Sequence, residues 1–198
     1  MFPINDRAGD SDRQFQNAVE LLRSGDLSGA STLLTRITHA NPKHAKAWME
    51  LGKILLTHLD DAEYAADCFK KAVDASPTMA LAYIAYADAL FRLERFAEMN
   101  AVLNQAREVK GIRKDLVYER FALLMESQGR YEEAIEHFRK ALLESFSDED
   151  IARCEKGIGR CNIKKRYSWL FVLENEIQIR TQIKRSERIY TDLFFVKY

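Results

Sequence analysis

The side chains best able to do chemistry in this 198-residue chain are four histidines, three cysteines and a few paired carboxylates, and none is spaced for it. His39, His44, His58 and His137 fall at turns or on helix surfaces, with no serine or cysteine at a recognisable distance to form a nucleophile–base pair. Cys154 and Cys161 are seven residues apart, on one helical face but two turns from each other, too far to share a metal ion. No CxxC pair occurs, and Cys68, beside Phe69 in a helical pattern, is expected to pack as a small apolar residue. Gly157-x-Gly159 lies inside a helical pattern with no strand before it, so it does not make a phosphate loop. Glu132-Glu133 and Glu136-His137 belong to the solvated face of a helix. The residues therefore predict no catalytic group, no metal and no cofactor.

What organises the chain is a pattern that returns every 34 or 35 residues, four times between Ser11 and Phe146. A small residue recurs at Ala18, Gly52, Ala87 and Ala122, and a small or slim one at Ala30, Ala65, Met99 and Ala134. A large apolar residue recurs at Leu34, Phe69, Leu103 and Phe138, followed three positions on by Ile37, Ala72, Ala106 and Ala141. Pro42, Pro77 and Gly111 close the first three units. Small residues let two helix backbones approach while the large one fills the space beyond them, so each unit is a packed helical pair. One pair cannot bury its apolar face alone, but stacked neighbours do, which is the logic of a solenoid. Turn residues at Ser24-Gly25, Asn41-Pro42, Ser76-Pro77, Lys110-Gly111 and Gln128-Gly129 separate the helices, and such short connections force antiparallel neighbours. The first helix is expected from a cap at Ser11.

With Trp48, Tyr83 and Tyr118 near the start of each first (A) helix, the Leu51-Gly52 pair, the trio Ala65, Phe69, Ala72 and the closing Pro77, the pattern resembles the tetratricopeptide repeat. The resemblance covers residues 11–146. It departs at Gln14, Met99 and Phe146, and by one extra residue near His58–Asp61. It implies an all-α, right-handed superhelical solenoid of antiparallel helix pairs, with units at 11–44, 45–79, 80–114 and 115–148. A flexible stretch is expected at 1–10 and a degenerate fifth repeat, or basic capping segment, at 147–198.

In that family the A helices line a concave groove for an extended peptide or a partner's helix. The groove columns carried over to this sequence give Phe15 and Val19, then Lys46, Met49, Lys53 and Leu56. They continue through Leu81, Ile84, Asp88, Phe91 and Arg92 to Glu119 and Leu123. Phe15, Met49, Ile84 and Phe91 are expected to form an exposed apolar patch that needs a partner. The cationic clamp with which some family members grip a chaperone carboxyl terminus is missing. Its columns read Phe15, Val19, Glu50, Leu81 and Ala85 in one register and Met49, Lys53, Ala85, Leu116 and Glu119 in the other.

Beyond Phe146 the composition changes. Ser147-Asp148-Glu149-Asp150 has the hydroxyl and acidic first turn of a helix start. Lys165-Arg166-Tyr167 echoes Arg130-Tyr131 and predicts a turn, followed by a second helix from Trp169 to about Ile183, although Ile177, Ile179, Thr181 and Ile183 also alternate as a strand does. The apolar end Leu193–Tyr198 is open to three roles: packing on the array, meeting another subunit, or fraying. From Arg153 on there are eleven basic against five acidic side chains, so with zero net charge the preceding part carries the opposite excess. The basic residues are interleaved with apolar ones in no dense run, which favours attraction to the acidic array over nucleic acid.

Hydrophobic residues at 47% and charged ones at 30% exclude disorder. No apolar run is long enough to span a bilayer, the first ten residues lack the charged start and apolar core of a signal peptide, and the cysteines fit a reducing, cytoplasmic setting. The expected function is a non-enzymatic scaffold that binds a peptide or amphipathic segment of another protein. The alternatives are a chaperone or adaptor for a secreted or multi-subunit partner, self-association into a homo-oligomer through the C-terminal segment, and nucleic-acid contact through the basic end.

Overall fold

Local chemistry, side-chain caps at three helix starts and left-handed residues in the turns, delimits helices of the array. The computed structural model describes the backbone of residues 6–195 and the side chains of residues 9–170, 173–174 and 176–184. Among the described residues there are nine α-helices and no strand: α1 (Asp6–Ser24), α2 (Leu27–Ala40), α3 (Ala45–His58), α4 (Ala62–Ala75), α5 (Ala80–Arg92), α6 (Phe96–Arg107), α7 (Lys114–Ser127), α8 (Tyr131–Glu144) and α9 (Asp148–Phe195). The side chains of Asp26, His44 and Asp61 cap α2, α3 and α4 by accepting from the N–H of Gly29, Ala47 and Tyr64. Each A–B turn passes through one left-handed residue, Gly25, Asp60, Glu94 and Gly129 in order. Trp48 Nε1 donates to the Pro42 carbonyl at 2.9 Å and the Tyr83 hydroxyl to that of Pro77 at 3.2 Å, hooking each A helix to the turn before it.

Four antiparallel pairs, α1/α2, α3/α4, α5/α6 and α7/α8, stack into a right-handed superhelix, and each second (B) helix also packs on the next A helix. The repeat columns form the core. Leu34, Phe69, Leu103 and Phe138 are buried, as are Ala30, Ala65, Met99 and Ala134. Gly52 and Gly157 are small because a large ring lies against them: a Cβ would sit 2.6 Å from the Phe69 ring at Gly52 and 2.5 Å from the Phe138 ring at Gly157. Gly157 is thus the fifth member of the small column, and α9 is the A helix of a fifth unit.

Three expectations about the ends change. Asp6–Asp10 are helical, since acidic residues suit a helix start and Asp10 accepts from Gln14 at 2.6 Å. Ser11 is therefore buried inside α1 rather than capping it, while residues 1–5 of the expected flexible stretch lie outside the described residues. Second, no turn interrupts α9 at Lys165–Tyr167; the helix expected from Trp169 and the strand-like stretch Ile177–Ile183 are one continuation of it. No glycine or proline follows Gly159, and the place of the left-handed Gly129 is taken by Lys164, whose ammonium is bound to Glu126. Third, the fifth unit has no second helix, so α9 alone ends the array. Its outer face carries exposed Ala152, Lys156 and Gly159 where the fourth unit buries Val117, Phe121 and Leu124. A polar last face of this kind keeps a solenoid from stacking further. Of the run Leu193–Tyr198, the backbone is described only to Phe195, in helix, and the side chains lie outside the described residues.

Candidate protein-interaction face

Positions 35 residues apart on α3, α5 and α7 make rows across the A-helix face. One row is Lys46, Leu81 and Leu116; the next is Lys53, Asp88 and Leu123. Lys46, Lys53 and Leu81 are exposed, Leu81 by 61%, while Leu116, Asp88 and Leu123 are half-buried. Val19 and Phe15 on α1 are also half-buried, and the Phe15 ring rests on His44 with centroids 5.0 Å apart. His44 Nδ1 accepts from the Ala47 N–H, and its Nε2 lies 3.3 Å from Asp12 Oδ1. Phe91 packs on Phe96 at 6.1 Å, and Arg92 donates to the Leu56 carbonyl at 2.9 Å while facing Asp60.

The expected apolar patch does not form. Met49 and Ile84 are each 7% exposed and Leu56 is 8% exposed, because α3 packs on α5 and takes these columns into the seam. Phe15 and Phe91 are each partly covered by a neighbouring ring. Glu119, also expected to face the groove, is buried and fully engaged in ion pairs.

Those ion pairs form a ladder from α5 across α7 to α9. Arg120 makes a two-point contact with Asp88 at 2.9 and 3.0 Å and reaches Glu119 at 3.0 Å. The other Glu119 oxygen accepts from Arg153 at 2.6 Å, and Arg153 also reaches Asp150 at 2.7 Å. Asp150 accepts from Arg113 at 2.6 Å, and Arg113 in turn holds the buried Asp115. Two helical turns further along, Glu126 accepts from Arg160 through both oxygens at 2.6 Å and from Lys164 at 2.8 Å. Lys165 pairs with Glu132 at 3.0 Å. Arg153, Arg160, Lys164 and Lys165 of the basic end are thus spent on carboxylates of the array. The ladder leaves a trace that sequence inspection missed: opposite charges 32 or 34 residues apart at Asp88/Arg120, Glu119/Arg153 and Glu126/Arg160.

Titration follows from these contacts. The Ser147 hydroxyl, then Arg153 and Arg113, pull the Asp150 carboxyl down to about 2. Burial pushes the Glu126 carboxyl up, but the hydrogen bonds from Arg160 and Lys164 outweigh it and hold it below its usual range. The cysteines behave oppositely: burial pushes the Cys68 thiol up to about 12 and Cys161 to about 11, which makes them poor nucleophiles and poor metal ligands. Among the described residues no group of histidine, cysteine and carboxylate side chains is placed to hold a metal ion.

Two family models of the tetratricopeptide repeat match the sequence, over residues 15–80 and 117–147. The chain belongs to the tetratricopeptide repeat family. Solved structures of such repeat proteins share its fold. MamA from Desulfovibrio magneticus RS-1 superposes with a TM-score of 0.67 at 16% identity, over 91% of this chain and 99% of that one. PilF of Pseudomonas aeruginosa gives 0.66 at 20% identity, over 81% and 71%. PilW, a type IV pilus biogenesis factor, gives 0.64 at 21% identity, over 79% and 73%. No curated protein matches the sequence. Tetratricopeptide repeat arrays are typically non-enzymatic protein-interaction scaffolds, and among the described residues of this one no helix is long and apolar enough to cross a membrane.

Proposed function

We propose that this tetratricopeptide repeat protein is a scaffold without chemistry of its own that holds an amphipathic segment of another protein along the A-helix face, in a reducing compartment. The observation that carries this is Leu81, an exposed leucine in mid-face between Lys46 and Lys53 on one side and the half-buried Leu116 and Leu123 on the other. A segment with carboxylates toward α3 and apolar side chains toward α7 complements that strip. The paired ladder beyond it offers no free charge to a ligand, and its rigidity lowers the ordering cost of binding. Leu81→Asp should abolish co-purification of the partner from native cells while leaving helical content and melting temperature unchanged, because the side chain is already in water. If the variant retains its partner, the segment binds elsewhere.

A second reading, self-association through the free part of α9, is favoured by a separate observation. Past the buried Cys161 the helix leaves the array, and Tyr167 and Trp169 are 67% and 63% exposed, with Ile163, Leu170 and Ile177 at helical spacing on one side. A second copy pairing along that stripe covers it. Sedimentation of the full chain against one ending at residue 165 decides: a full chain that sediments as a monomer, as the shortened one does, removes this reading.

A further inference from the structure

On the opposite side of the array, the B helices α6 and α8 flank a cleft floored by α7. Its main cavity, about 410 Å³, is lined by Arg107 from α6, Tyr118 and Phe121 from α7, Arg130 from the turn, and His137 and Lys140 from α8, among others. A smaller one of about 170 Å³ continues it, sharing Arg107 and Tyr118 and adding Lys114. One unit earlier the same seam is filled. There the counterparts of Asn100, Arg107 and His137 are Ala66, Val73 and Val102, of which Ala66 and Val102 are buried and Val73 packs against the core. Between the third and fourth units the seam is opened by polar side chains, Asn100 and Arg107 on α6 and His137 on α8, in place of aliphatic ones.

Two features of the opening point to a ligand. First, Tyr118 occupies the column of Trp48 and Tyr83, yet its unit follows a glycine turn and it makes no hydrogen bond to that turn among the described residues. Its ring instead lies 6.3 Å from His137, which also stacks on Phe121 at 5.2 Å with an interplanar angle of 20°. His137 Nδ1 is shut off from water and has no hydrogen-bond partner, so the neutral ring carries its proton on Nε2, the nitrogen left to donate to a ligand. Second, Arg107 has no ion pair among the described residues, whereas Arg130 is neutralised by Glu133 and Lys140 by Glu136. The charges facing His137 are those of Lys140, Glu136 and Glu133 on its own helix and Arg107 across the cleft. Burial, and then Lys140, keep the imidazole below its usual value and hence neutral at pH 7.

We propose that this cleft is a second binding site, for a carboxylate or phosphate oxyanion, in which Arg107 supplies the ion pair, His137 a hydrogen bond from Nε2, and the Tyr118–Phe121 floor the apolar contact. The volume is ample for such a group together with the atoms that carry it. The oxyanion could come from free phosphate or from an acidic side chain of a peptide, and the site distinguishes itself from the A-helix face by lying between B helices.

The test is the titration of His137 followed by NMR in the full chain, with the resonance assigned by its loss in His137→Phe. Inorganic phosphate and an Asp/Glu-rich hexapeptide are the two probes. An anion beside the ring stabilises imidazolium, so the His137 pKa should rise on saturation. Arg107→Ala, an exposed position whose change leaves folding intact, should weaken the probe's affinity about tenfold, the loss of one charge-assisted contact, so that the rise at a fixed, sub-saturating probe concentration shrinks. A response to phosphate alone identifies a free-anion site, and a response to the peptide alone identifies a peptide site. No movement of His137 with either probe, or an unchanged probe affinity in Arg107→Ala, overturns the proposal.

Discussion

The two ends of the A-helix face use charge in opposite ways. Toward α3, Lys46 and Lys53 are exposed, and Lys53 reaches only Glu50 one turn away on the same helix, at 2.8 Å. Toward α9, Glu119 and Glu126 are buried and held by the α9 arginines Arg153 and Arg160, and the buried Asp115 by Arg113, which also reaches Asp150. A pair within one exposed helix is worth a few tenths of a kcal/mol and does nothing for tertiary structure. A buried carboxylate bridging two units ties them together, because removing it strands the cation left behind. The first arrangement leaves charge available to a ligand; the second spends it on holding the last helix to the array.

That contrast is open to direct tests. Glu119→Ala should be the most damaging, lowering stability by about 2–3 kcal/mol, at the low end for a buried pair because Arg153 remains partly hydrated; chemical denaturation measures it. Acid should act next and in the same place. Asp150 and Glu126 are held below their unfolded values, so the stability they contribute is present above about pH 4 and is lost as pH falls toward about 2. The melting temperature should drop across that window, and less steeply in Glu126→Gln. Smallest of all, Lys53→Ala should change stability by no more than about 0.5 kcal/mol, since only an exposed pair is lost. Equal losses from Lys53→Ala and Glu119→Ala would erase the distinction between the two ends.

Much of this was legible in the residues and some was not. The columns from Ala18 to Ala141, the turns at Gly25 and Gly129, and the Ser147 start of α9 follow from spacing and capping, which are local properties. Met49 and Ile84 misled because a groove column and a seam column share the same helical face, and only the packing of the helices says which of them a neighbour covers. The uninterrupted α9 was hidden by the echo of Arg130-Tyr131 in Arg166-Tyr167, although the missing glycine was there to be seen. The cleft beneath His137 needed the comparison of one unit with the next, in three dimensions.

By itself, then, the order of residues determined the helical pairs, their repeat and the solenoid they build, because periodicity and turn chemistry act over a few neighbours at a time. Which carboxylates are buried, which leucine stays in water and where the stack opens were decided by tertiary packing, since burial and ion pairing depend on side chains brought together from 32 to 38 residues away.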